Sequence, residues 1–132
     1  MKTLTTPRAR FIEHRGHSLL FLDYSGLRDP NEVRAVIDDV KALVTAWPAD
    51  RPLLTLSYVR GARLNHPATV AALRAAVEHN PPFVRHGAVV GISREQRVVY
   101  EGIMLFSGRK LRSFDDLGQA MDWLVTQTED DT

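Results

Sequence analysis

The chain has 132 residues, 44% hydrophobic and 25% charged, a balance that suits a folded core and excludes a disordered or fibrous protein. Its 17 basic and 16 acidic side chains leave a net charge of +1, too little field to draw nucleic acid or an anionic membrane. With no cysteine, disulfides, thiolate metal sites and thiol nucleophiles are all excluded.

The opening residues, Met1 to Arg10, are polar and lack an apolar signal region. No stretch approaches the ~20 apolar residues of a membrane span, so we expect neither export nor membrane insertion, and a cytoplasmic location. The length predicts a single domain over residues 1–132, with an ordered core from about residue 10 to about residue 126 and a short frayed acidic tail.

Phe11 to Arg15 and Ser18 to Tyr24 read as two strands of a β-hairpin turning at Arg15-Gly16-His17. The run Leu19-Leu20-Phe21-Leu22 predicts a strand inside the sheet, covered on both faces. Asp29-Pro30-Asn31-Glu32 combines an N-cap aspartate, proline at the first helical position and a glutamate three residues on. The helix it opens carries Val33, Val36, Ile37, Val40, Leu43, Val44 and Trp47 on one stripe and stops at Pro48.

Leu53 to Tyr58 is strand-like, and a second helix is predicted from Pro67 through Val77, ended by Asn80-Pro81-Pro82. Ala88 to Ile92 forms a short apolar strand, after which Ser93 and Gln96 make a capping box for a helix reaching Phe106 and closed by Gly108. Leu111 to Phe114 predicts the last strand, and Asp116 with Gln119 caps a final helix whose apolar face is Leu117, Ala120, Met121, Leu124 and Val125. The order is ββαβαβαβα, an α/β fold with a mixed, mostly parallel sheet packed against amphipathic helices. Only the first strand should run antiparallel, because each helix returns the chain to the same end of the sheet.

The segments Leu20-Phe21-Leu22-Asp23-Tyr24-Ser25-Gly26-Leu27, Ala88-Val89-Val90-Gly91-Ile92, Phe106-Ser107-Gly108-Arg109, Phe114-Asp115 and Ala120-Met121-Asp122-Trp123-Leu124 follow one another in this order. Together, from Phe11 to Val125, they resemble the bacterial SpoIIAA-like (STAS-like) family, which shares its superfold with anti-sigma-factor antagonists and more remotely with lipid-exchange CRAL-TRIO domains. The resemblance implies a regulatory or protein-binding domain rather than an enzyme. In the antagonist branch a serine at the start of the second helix is phosphorylated to release the partner. Here the corresponding stretch is Asn65-His66-Pro67-Ala68, with Thr69 just beyond, so the switch hydroxyl is missing from its place.

In a parallel βα layer the loops after the strands gather along one edge, beside helix N-termini. That edge is the expected ligand or docking site, lined by Asp23, Tyr24, Ser25, Tyr58, Arg60, Arg63, Ser93 and Arg94. The same residue types also serve as turn formers, caps and solvated charges. His14 and His17 flank the hairpin turn without an evident third ligand, so no metal site is expected; His66, His79 and His86 read as capping or surface residues at element boundaries. No nucleophile elbow, Walker lysine or dinucleotide glycine motif is present, and no cofactor is expected. Asp38-Asp39 and Asp115-Asp116 read as helix-surface and cap charges rather than an acid–base pair.

The third predicted helix carries apolar groups around more of its circumference than one stripe requires. Val99, Ile103, Met104 and Phe106 are therefore candidate interface residues for a homodimer or another protein partner, or cover for a small apolar ligand. The leading expectation is a non-enzymatic STAS-like regulatory or interaction domain. The alternative is a small-molecule or lipid carrier with an apolar cleft under that helix, and a third possibility is an enzyme using Asp23 with Arg60 or Arg63.

Overall fold

A computed structural model describes residues 8–48, 53–63, 66–79, 84–94, 96–98 and 110–130. Strand β1 (Ala9–His14) turns back into β2 (His17–Asp23) through only two residues, Arg15 and Gly16. Their φ values of 51° and 80° make the mirror-image turn whose twist matches that of paired strands. His17, expected in the turn, is therefore already paired with His14 in the ladder.

Helix α1 (Pro30–Ala46) starts where the cap signal lies, but the Asp29 carboxylate accepts from the Asn31 amide at 2.9 Å, one residue earlier than a capping box would have it. Val33, Val36, Ile37, Leu43 and Val44 are buried along one stripe, and Trp47 stacks on Phe11 of β1 with ring centres 5.1 Å apart. After β3 (Leu53–Tyr58), helix α2 (Pro67–His79) is capped by the His66 imidazole, whose Nδ1 accepts from the Ala68 amide at 3.1 Å.

Strand β4 (Val84–Val90) begins four residues before the expected Ala88. A register shift pairs Leu53 with Val84 and Leu54 with His86, so Arg85 is the extra residue and His86 turns inward, 3% exposed. His86 is thus a buried strand residue, not the boundary residue the polar Arg85-His86-Gly87 run suggests. The strand also stops earlier than expected, at Val90, because Gly91 adopts a φ of 89°. Arg94 and residues 96–98 are helical, after which β5 (Lys110–Phe114) and α3 (Leu117–Asp130) complete the order. The Asp116 carboxylate accepts from the Gln119 amide at 2.9 Å, as the cap signal predicts.

The strands lie side by side in chain order, β1-β2-β3-β4-β5, with β1 antiparallel and the other pairings parallel. The crossovers from β2 to β3 and from β3 to β4 step the same way along the sheet, and their helices α1 and α2 meet on one face. That face buries Leu20, Leu22, Leu53 and Val89 against Val33, Val36, Ile37 and Val44. The opposite face buries Leu19, Leu54, Leu56, Ala88 and Val90 under Ala120 and Leu124 of α3. Neighbouring leucines of β2 therefore enter different cores, which is why its sequence is a continuous apolar run.

At the far end from the strand-end loops, the His14 Nε2 bonds the Asp122 carboxylate at 2.8 Å, and the Arg15 guanidinium lies 3.3 Å from the same oxygen. The hairpin tip is so tied to α3. Among the described residues, no helix is long and apolar enough to cross a membrane.

Candidate functional site

The carboxyl ends of β2, β3 and β4 do not fray into separate loops. The Tyr24 amide donates to the Tyr58 carbonyl at 2.8 Å, Val59 to Val90 at 2.9 Å and Gly91 to Phe114 at 3.1 Å, carrying the parallel ladder one residue past each strand. Beyond it the Gly26 amide donates to the Arg60 carbonyl and the Arg63 amide to the Leu27 carbonyl, which joins the β2 loop to the β3 loop. The Gln96 side chain, 9% exposed, donates to the Ala62 carbonyl at 2.9 Å and to the Ser93 hydroxyl at 3.0 Å, joining the β4 loop to the β3 loop. Three loops thus make one continuous rim.

Asp23 and Ser25 are brought together as a local turn. One Asp23 carboxylate oxygen accepts from the Ser25 amide at 2.9 Å and from its hydroxyl at 2.5 Å. The Arg8 guanidinium donates to the carbonyls of Asp23 and Ser25, at 3.1 Å each, and stands 4.0 Å from the Asp23 carboxylate. Arg60 spends its guanidinium similarly, donating to the Asp115 carbonyl at 3.2 Å. Arg63, Ser93 and Arg94 are exposed on the same rim.

The two tyrosines part company with this group. Tyr24 is 6% exposed and packs into the core beneath α1, where burial pushes its phenol well above the usual range. Tyr58 belongs to the opposite face, half-buried with Phe21, Phe114 and Trp123 beside α3. The pleat explains the split, since Tyr58 pairs with Asp23 and not with Tyr24.

Sequence reasoning missed four contributors to the rim: Arg8, Gln96, Gly91 and Asp115. Arg8 has a local signal only in hindsight, since its carbonyl accepts from the Asp23 amide one residue beyond the Ala9–Leu22 pair. Gln96 carries a cap signal, yet its side chain reaches across to another loop.

Thr69 is 2% exposed in the first turn of α2, and its hydroxyl has no hydrogen-bond partner. A phosphate of nearly two negative charges at that buried hydroxyl would need the surrounding packing to open. His14 is engaged with Asp122 and His17 with the Arg15 carbonyl, both structural contacts. The interface candidates Val99, Ile103, Met104 and Phe106, and with them the carrier cleft beneath that helix, lie outside the described residues.

A five-stranded sheet in chain order, antiparallel only at β1, with α1 and α2 on one face and α3 on the other, is a SpoIIAA-like α/β fold. Among solved structures, the chain is similar to an uncharacterised protein of the DUF3478 family with a SpoIIAA-like fold from Shewanella loihica PV-4. The TM-score is 0.56 at 15% identity, covering 88% of this chain and 91% of that one. No protein-family model and no curated protein matches the sequence.

Proposed function

We propose that the chain is a non-enzymatic regulatory or binding domain that docks a protein partner on the rim at the carboxyl ends of its strands. The observation that carries this reading is how the rim's polar groups are used. Asp23 is satisfied by Ser25, Arg8 and Arg60 hold carbonyls, and the neighbouring tyrosine is buried. A reaction centre needs a nucleophile or base within reach of an open substrate position; this edge instead offers an ordered surface whose backbone is cross-linked by hydrogen bonds. Such a surface loses little conformational entropy on docking, which favours recognition. The SpoIIAA-like fold supports the same reading by analogy alone.

A partner isolated on the immobilised chain and reconstituted from purified components should form a complex of defined stoichiometry by sedimentation. Hydrogen exchange of that complex should show protection at residues 24–28, 60–63 and 91–94. Protection confined to α3, or turnover of a small substrate lost on Asp23→Asn, would overturn the reading.

A further inference from the structure

The three rim loops repeat one arrangement. Each buries a residue that clamps it to its neighbour, and the next residue in the chain is an exposed arginine: Leu27 then Arg28, Ala62 then Arg63, Gln96 then Arg97. The loops are joined in sequence, because the Leu27 carbonyl accepts from the Arg63 amide at 2.7 Å and the Ala62 carbonyl from the Gln96 side chain at 2.9 Å. The three arginines therefore stand exposed on adjoining loops of the rim, as does Arg94. Among the described residues, no hydrogen bond or ion pair engages the side chains of these four arginines, in contrast to Arg8 and Arg60. The nearby carboxylates of Asp29 and Asp116 are bonded to the amides that begin α1 and α3.

We infer that Arg28, Arg63, Arg94 and Arg97 form a docking strip for a short acidic segment of a partner protein. This deepens the binding-domain reading above and rests on it. Grouped guanidiniums repel one another within about 8–10 Å at physiological salt. A carboxylate-bearing segment relieves that repulsion, and each guanidinium can grip a carboxylate through two parallel hydrogen bonds. Val98, 76% exposed next to Arg97, is the large apolar side chain left open among the described residues, and gives the segment an apolar foothold. A single-stranded nucleic acid would call for aromatic rings between the cations. Among the described residues, Tyr24 is buried and Phe21, Tyr58 and Phe114 belong to the face beneath α3, which favours a peptide.

The test is fluorescence anisotropy with a labelled peptide of alternating glutamate and leucine, compared with single-stranded DNA of equal charge. We expect the wild-type chain to prefer the peptide, with affinity falling as salt rises. The double variant Arg63→Glu with Arg97→Glu should lose tenfold or more, the corresponding lysine variants much less. Arg15→Glu, at the opposite end of the sheet, should bind as wild type does. Circular dichroism establishes that each variant is folded. Equal binding by the charge-reversed variant, or preference for DNA, overturns the strip. If a reconstituted partner still protects the rim in hydrogen exchange, only the acidic-segment inference has failed; if no partner complex forms, the binding-domain reading has failed with it.

Discussion

Gly91 carries more of the rim's geometry than its size suggests. Its φ is 89°, and a Cβ there would stand 2.9 Å from the Arg60 Cβ and 3.1 Å from the Arg60 backbone nitrogen and Cα. Backbone atoms cannot swing aside as a flexible side chain can, so Gly91→Ala should cost on the order of 2 kcal/mol or more from strain and clash together. A urea midpoint unchanged in that variant would contradict the close approach of the two loops. Asp122 makes a different prediction. The hydrogen bond from His14, then the positive charges of Arg15 and His14, outweigh desolvation and hold its carboxyl below the usual 3.8. A depressed carboxylate stabilises the fold fully above the unfolded value and loses that contribution as pH falls through the lower folded value. The stability gap between wild type and Asp122→Asn should therefore narrow as pH falls in acid and close below about pH 4. A gap that persists into strong acid would show that the ionic form of Asp122 contributes nothing. Tyr24 shows the limit of reading single residues: its place after a strand marks it as a rim residue, and only the pleat sends it into the core.

Among the elements, α3 covers the second face of the sheet with Ala120 and Leu124. Leu124 is fully buried, so Leu124→Ala should cost about 2–5 kcal/mol, whereas removing the exposed α1 cap with Asp29→Ala should cost about 1 kcal/mol. Chemical denaturation of the two variants side by side checks the ranking, and an equal loss would mean that α3 is loosely packed. These two helices were legible because their signals are local: a cap residue, a proline and a stripe at three- and four-residue steps. Strand β4 was only half legible. Its first residues include Arg85, the extra residue of the register shift, and buried His86, so no alternation announces them. The rim was legible as a location and not as a structure. Asp23 and Ser25 are neighbours in sequence, but the bonds from Gln96 to Ala62 and from Arg60 to Asp115 join residues 34 and 55 apart, and nothing local encodes them.

At the scale of the whole molecule, the strict chain order of the strands and the split of the core between two faces act together. Each new strand joins the edge left by the one before it, and none has to be inserted between two already paired. Early pairing is local, beginning with the two-residue hairpin turn, which favours quick assembly. The face with α1 and α2 can close progressively as the chain lengthens. The other face cannot, because Leu19, Leu54, Leu56, Ala88 and Val90 wait for a helix that begins only at Leu117. A chain that lacks this 14-residue helix thus carries a sheet with one oily side that no other described element covers. Chains cut short before Leu117 should collect in the insoluble fraction and bind hydrophobic dyes, and adding back the missing helix as a separate peptide should lower that dye signal.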